Sequence, residues 1–371
     1  MLLGMYARLI LAFTLLAGAL PVFAQLDDAD DATRAACKEA IKTPLPAEAA
    51  QVMPPKSWPE CNSYKLYSGI GTKVDYGAAR KCAWQERLAQ LADLEPRFSV
   101  ASVFGGSAML TVLYANGNGV DRNIPLALRF ACEAGGAPAE IDGRLAYLES
   151  IRKGDSARTP HFDFCDDITS GFMMGFCAAR SSELGDRDRS HDLSVIEGRM
   201  TPAQKEAFSH LVNSQSAYAH AHAAGEIDLS GTARAMYQID AEDTLRDDFI
   251  AALQSFEAGK PPSGNSETYR DADEQLNTAY GKTIADADKH KTEYGAVQPS
   301  LIRDAEREWL KYRDAFVAFA KLRYHAVPAE AWLTLLTKDR TSVIDGSFCD
   351  MDAEDGPCAQ KGDKWNPSPL P

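Results

Sequence analysis

The amino-acid sequence predicts an all-α protein, in which a short helical-repeat domain is followed by two small helical bundles stabilised by disulfides. Apolar residues recur at steps of three and four over several long segments, which is the period of a helix with one buried face. Glycine turns separate the helical segments of the N-terminal half. Eight cysteines are spread through the chain.

Residues 1–24 are predicted to be a secretory signal peptide. Arg8 precedes an apolar run from Leu9 to Leu20, and the small residue Ala24 closes the segment before Gln25. The run is too short for a confident membrane span, and it lacks the cysteine that lipoprotein processing requires. We therefore expect an exported, periplasmic protein without a membrane anchor after removal of the signal.

The even number of cysteines agrees with export, because disulfides persist in oxidising compartments. No C-x-x-C pair is present to indicate a zinc or redox site. Eight cysteines allow about 105 pairings, so spacing alone does not decide the connectivity. We expect local bridges for six of them, Cys165–Cys177, Cys349–Cys358 and Cys82–Cys132, with Cys37 available to join Cys61.

Residues 25–62 are rich in proline and aspartate, with one short helix expected around Cys37. An approximate repeat follows within residues 63–153, with copies at Tyr67–Ala83 and Tyr114–Gly136. Each copy has a helix ending at tyrosine, a glycine turn, a polar residue and a second helix. This resembles Sel-like repeats, which implies stacked helix pairs that form either a peptide-binding surface or a structural spacer.

Residues 160–258 are predicted to form the first bundle. Thr201 to Gln204 has the pattern of a capping box, and the helix that it opens is expected to end at Gly225. A further helix is predicted from Thr232 to Phe256, before a linker at 259–267. The apolar face of the first of these helices comprises Phe208, Leu211, Gln215, Tyr218 and His222.

Residues 268–345 are predicted to form the second bundle, and residues 346–371 an irregular tail. Two segments of matching helical period, joined by a short link from Gly295 to Ser300, predict an antiparallel helical hairpin. The apolar seam of its second helix comprises Ile302, Ala305, Trp309, Tyr312, Phe316 and Phe319.

The sequence of this second bundle resembles that of a known family. D-x-x-L-N-x-x-Y at Asp273–Tyr280, followed by A-x-R-x-W-x-x-Y-R-D at Ala305–Asp314, is similar to the lysozyme inhibitor LprI-like domain of bacterial envelope proteins. When Tyr218 is laid over Tyr312, Gln215 falls on Trp309, so we interpret 160–258 as a diverged first copy that has lost the tryptophan.

Enzyme motifs are absent from the sequence: it has no G-x-S-x-G, H-E-x-x-H or phosphate-binding loop. His220 and His222 would point about 200° apart on a helix and cannot share a metal. Acid pairs such as Asp247-Asp248 are expected to be solvated. We therefore predict a protein that is not an enzyme and has no cofactor. The net charge of −14 disfavours nucleic acid and anionic membranes as partners.

The resemblance implies an exported binding protein that occludes a basic, lysozyme-like peptidoglycan hydrolase of a host or a rival cell. The alternative is an envelope scaffold that binds proteins through its helical repeats. Trp309 is a candidate contact residue, although its place in the seam favours packing. The other candidates are Arg303, Arg307, Arg313 and Asp314, for which intrahelical pairing, such as Glu306 with Arg313, is the alternative.

Overall fold

The computed structural model describes residues 30–94, 99–154 and 161–347, and in these ranges the protein is all-helical without a strand. This confirms the predicted fold class. The chain divides into an N-terminal unit, up to Arg180, and a C-terminal unit, from Ser181 onward. None of the helices in the described ranges has the length and apolar content needed to cross a lipid bilayer.

The N-terminal unit begins with short helices and continues with longer ones that pack around one core. A 3₁₀ turn at Ala47–Gln51 follows the first helix. The α-helices are α1 Asp31–Ala40, α2 Ser63–Ser68, α3 Tyr76–Leu91, α4 Val100–Phe104, α5 Gly106–Asn116, α6 Ile124–Ala134 and α7 Pro138–Lys153. The next helix, α8 Gly171–Glu197, contains the boundary between the two units.

The same turn occurs twice in the N-terminal unit. Gly69 after α2 and Gly117 after α5 both adopt the left-handed conformation, with φ of 72° and 74°. Each turn leads to a polar N-cap, since Asp75 accepts from the Ala78 amide and Asn123 from the Leu126 amide. The predicted helix–turn–helix pattern is therefore observed in both copies, while the assignment to Sel-like repeats stays a prediction.

Three disulfides lie within the described residues, and they are Cys37–Cys132, Cys61–Cys82 and Cys165–Cys177. The last of them confirms a predicted pair. Cys349 and Cys358 lie outside the described residues, as does the predicted signal peptide.

The other two predicted pairs, Cys82–Cys132 and Cys37–Cys61, are wrong. Helix α1 packs against α6, which brings the Cα atoms of Cys37 and Cys132 to 5.5 Å. Helix α2 packs against α3, so that Cys61 just before α2 lies beside Cys82. The N-terminal segment, expected to be mostly extended, therefore contributes Cys37 to the core and is fastened to it by a bridge that spans 95 residues.

The C-terminal unit contains the end of α8 and five further helices, most of them long. Thr201 caps α9 with the predicted capping box, and the helix ends at Gly225 as expected. The helices are α9 Pro202–Gly225, α10 Arg234–Glu257, α11 Ser266–His290, α12 Pro299–Arg323 and α13 Ala329–Ser347.

The helices of the predicted hairpin are present, but their expected pairing is wrong. Helix α12 packs along α9, and α11 packs against α13, with little contact between α11 and α12. The residues that α11 buries are small or few, namely Ala272, Leu276, Thr283 and Ala287, so this helix covers little of the α12 seam beyond Trp309.

Helices α9 and α12 run antiparallel. Phe208 near the start of α9 meets Phe319 near the end of α12, with ring centroids 5.4 Å apart. At the other end, Gly225 lies so close to Leu301 that an added Cβ would approach the Leu301 Cβ to 2.9 Å. The aromatic seam of α12 is therefore buried chiefly by a helix from outside its own predicted bundle.

Candidate functional site

A buried ion network joins α9, α12 and α13 in the C-terminal unit. Arg340 of α13 has a fully buried side chain and donates two hydrogen bonds to Glu226, at 2.6 and 2.8 Å. It donates a third to Glu306 of α12, at 3.0 Å. His222 of α9 donates through Nδ1 to Glu226 at 2.8 Å. Because one guanidinium binds both carboxylates, it fixes the positions of the three helices.

The two carboxylates of this network differ in pKa. Burial alone would raise the pKa of Glu226, but the hydrogen bonds from Arg340 and His222 outweigh it and hold the pKa below its usual value. For Glu306 burial outweighs the attraction of Arg340, and the pKa is raised. The tyrosine hydroxyl of Tyr218 also accepts from Arg340, at 3.2 Å. The network is well satisfied and serves to hold the helices together.

A groove of about 1100 Å³ lies beside this network, lined by residues of α9, α10, α12 and α13. Its sides are largely apolar: Leu245, Phe249 and Phe256 belong to α10, and Leu335 and Leu336 to α13. Tyr312, which stacks on Tyr218 with ring planes 11° apart, contributes from α12. The groove is slightly larger than a typical small-molecule pocket.

Two carboxylates, one from α10 and one from α13, interrupt the apolar sides of the groove. Asp248 belongs to α10 and Asp339 to α13. Desolvation, followed by the negative charge of Asp248, raises the pKa of Asp339 to about 6. The basic side chains among the lining residues are Arg340 and His222, and both are already hydrogen-bonded to Glu226. The groove therefore combines an apolar surface with carboxylates from two helices.

Sequence reasoning missed both acids. It expected Asp247-Asp248 to be solvated, and both residues are exposed, but it assigned neither Asp248 nor Asp339 to a site. A signal was available in the spacing, because Asp248 follows Leu245 by three residues and precedes Ala252 by four, and Asp339 stands in the same relation to Leu336 and Val343. An acid placed on an apolar helical face, rather than opposite to it, indicates a site where charge meets an apolar surface.

The predicted contact residues lie in two different environments, one in the core and one at the surface. Trp309 is 2% exposed and packs with Tyr218, Leu276 and Ile344, as the packing interpretation expects. The guanidinium of Arg313 lies over the Trp309 ring at 5.4 Å.

The remaining predicted contact residues lie on the outer face of α12. Arg303, Arg307 and Asp314 are exposed there. Arg307 pairs with Asp304, and Arg313 donates to Asp314 at 2.8 Å. The suggested pairing of Glu306 with Arg313 is wrong, because Glu306 turns toward Arg340.

Residues 265–343 match the family model of lysozyme inhibitor LprI. This LprI-like segment covers α11, α12 and most of α13, and therefore one side of the groove and two helices of the ion network. The match does not extend to α9 and α10, so the diverged first copy stays a prediction. Comparison with curated proteins and with solved structures finds no match to the chain.

Replacing Asp339 with asparagine is expected to stabilise the protein near neutral pH. A raised carboxyl pKa means that the ionised side chain destabilises the fold above about pH 6, and that protonation relieves this as the pH falls toward the unfolded value of 3.8. Since the carboxylate is partly solvated, we expect Tm to rise by about 1–3 °C at pH 7.5. Thermal melts should show the difference shrinking below pH 6; a gain that is independent of pH would contradict this origin.

Proposed function

We propose that this protein is an exported, non-enzymatic binding protein that inhibits a lysozyme-like peptidoglycan hydrolase. The observation that supports this most directly is the match of the LprI-like segment to a family of lysozyme inhibitors. The segment implies a protein partner rather than a small substrate.

Two physical features agree with the proposal. Every cysteine in the described residues is in a disulfide, which suits an oxidising compartment such as the periplasm. The net charge of −14 favours encounter with a basic enzyme, since opposite charge raises association rates. Arg303, Arg307, Arg313 and Asp314 remain proposed contacts on the outer face of α12, whereas Trp309 is buried and acts through packing.

The test is a peptidoglycan-lysis assay with the oxidised chain from Gln25 onward. We expect the protein to slow lysis by a basic animal lysozyme, with the effect saturating at stoichiometric amounts. The matched control is the same protein after reduction and alkylation, which should lose the effect. Unchanged lysis across a panel of hydrolases would contradict inhibition and favour the envelope scaffold. Lysis by the protein alone would contradict both.

A further inference from the structure

Two buried polar side chains of α9 line the groove between α10 and α13, and each has one atom left without a protein partner. Gln215 is 4% exposed and His222 is 5% exposed. Gln215 donates through Nε2 to the Leu245 carbonyl at 2.9 Å, and His222 donates through Nδ1 to Glu226. Within the described residues, Oε1 of Gln215 and Nε2 of His222 have no hydrogen-bond partner, and neither atom is enclosed by protein. Since buried polar groups are nearly always hydrogen-bonded, the missing bonds must come from a molecule in the groove.

Both of these atoms are hydrogen-bond acceptors. The amide nitrogen of Gln215 is already used, so its oxygen remains. The lowered pKa of Glu226 keeps that carboxyl ionised, so Nδ1 of His222 carries the proton that it donates, and Nε2 of the neutral imidazole presents a lone pair. The two residues are seven positions apart, which places them on one face of α9 and about 10 Å apart along its axis. Tyr312 adds to the same groove a hydroxyl that has no partner in the described part of the chain.

The groove has a polar end and an apolar end. Helices α9 and α10 run antiparallel, since Gln215 bonds to Leu245 while Nδ1 of His220 lies 3.3 Å from a carboxylate oxygen of Glu242. The later residues of α10 therefore lie beyond Gln215, on the side away from His222. The residues that line this far end are apolar, namely Phe249, Ala252, Phe256, Leu335 and Leu336. A molecule lying along the groove would place its apolar part there and its polar part against α9.

The charged groups of the groove do not favour a charged ligand. Arg340 is committed to Glu226 and Glu306. Asp248 and Asp339 line the groove, but both residues are exposed and stay in contact with water. The acceptors on α9 are neutral, and burying a charge against neutral groups costs more than burying a hydroxyl or an amide. The ligand that fits these surroundings is uncharged.

We propose that the groove between α10 and α13 binds an uncharged amphipathic small molecule, with a hydroxyl or amide head on Gln215 and His222 and an apolar body at the other end. The head donates to the two acceptors of α9, and the body covers apolar surface that is otherwise open to water. This site goes beyond the proposed function, because it requires no hydrolase. It also extends outside the LprI-like segment, since α9 and α10 supply the head site and one side of the groove.

The probe for this site is 1-monolauroylglycerol, which joins a saturated acyl chain to an uncharged head with free hydroxyls. Below its critical micelle concentration it should displace the uncharged fluorophore N-phenyl-1-naphthylamine from the wild-type protein. Methyl laurate has the same chain and ester but no hydroxyl, and it should bind at least about fivefold more weakly. Laurate and dodecylammonium, with charged heads, should also bind more weakly than 1-monolauroylglycerol. No displacement, or equal binding of the charged compounds, would overturn the proposal.

A first variant fills the apolar end of the groove. Ala252 is half-buried there, so Ala252→Trp should weaken binding of 1-monolauroylglycerol at least about tenfold. Ala251→Trp is the matched control, because Ala251 is an exposed residue of the same helix that does not line the groove. This control should bind like the wild type. Circular-dichroism melts establish that each variant is folded.

A second variant removes an acceptor from the polar end. Gln215→Met keeps the length of the side chain but cannot accept from a hydroxyl, so the preference for 1-monolauroylglycerol over methyl laurate should fall to about twofold or less. A general loosening of the groove would weaken both compounds and leave their ratio unchanged. Gln275→Met, at an exposed position of α11 outside the groove, should keep the wild-type ratio.

The outcomes separate this proposal from the proposed function. Equal binding by wild type and Ala252→Trp would overturn the groove proposal, as would an unchanged ratio in Gln215→Met. If the wild type binds none of these compounds but Ala252→Trp no longer slows lysis by a basic animal lysozyme, the small-molecule proposal is overturned and the groove belongs to the surface that contacts the hydrolase. If the wild type binds 1-monolauroylglycerol with the expected ratios and inhibits no hydrolase, the groove proposal stands and the inhibitor function fails.

Discussion

Replacing Arg340 with methionine is expected to lower the free energy of unfolding of the C-terminal unit by about 3–5 kcal/mol. Methionine fills much of the same space, so the loss does not come chiefly from a cavity. It comes from Glu226, whose side chain is 1% exposed, and from Glu306, because both carboxylates would remain buried without their counter-charge. Chemical denaturation followed by tryptophan fluorescence measures this loss of unfolding free energy, since Trp309 and Trp332 are both buried in this unit.

The control for this prediction is Lys338→Met on the same helix, which removes one positive charge from an exposed position. It should change stability by no more than about 0.5 kcal/mol. The pH dependence provides a second check. Glu226 contributes stability above its unfolded pKa of 4.5, and this is lost as pH falls through its lower folded pKa. The gap between wild type and Arg340→Met should therefore narrow in acid; a constant gap would contradict the electrostatic origin.

Removing the Cys37–Cys132 bridge by double serine substitution is expected to destabilise the N-terminal unit by about 4.5 kcal/mol. The bridge spans 95 residues, and the entropy that a cross-link removes from the unfolded chain grows with the length of the loop that it closes. The bridge also holds α1 against the core, where Cys37 is fully buried. Unfolding followed through the buried Trp84 of this unit would measure the loss.

The matched variant is Cys165→Ser/Cys177→Ser, which removes a bridge spanning 12 residues. The same entropic argument predicts a cost of about 3 kcal/mol. Removing the long bridge should therefore lower the free energy of unfolding more than removing the short one, when both variants are measured under identical conditions. Equal or reversed losses would show that local packing around the cysteines, rather than loop length, determines their contribution.

The sequence was sufficient to predict helices, because period and caps are local properties. The step of three and four along Ile302, Trp309 and Phe316 predicts which face of α12 is buried, and each of these residues is buried. The capping residues at Thr201 act within one turn of the chain. Such features depend on neighbours in sequence and need no knowledge of the remaining fold.

The pairing of helices was not predictable in the same way. An apolar seam indicates that something covers it but does not specify which helix does so, and the nearest one in sequence was the wrong choice for α12. The cysteine pairs failed for the same reason, since Cys132 bonds to a residue brought close only by the packing of α1 on α6. The groove depends on α10 and α13 together, so neither sequence segment reveals it alone.

The burial of the α12 seam by α9 has a consequence for fragments of this protein and for the stability of the intact chain at low concentration. A fragment limited to residues 265–343 would lack α9 and so expose Phe316 and Phe319 to water. It would have to cover this apolar surface by self-association. In the intact chain the covering helix is tethered, so its effective concentration is set by the connecting residues. The C-terminal unit therefore assembles in a unimolecular step and withstands dilution.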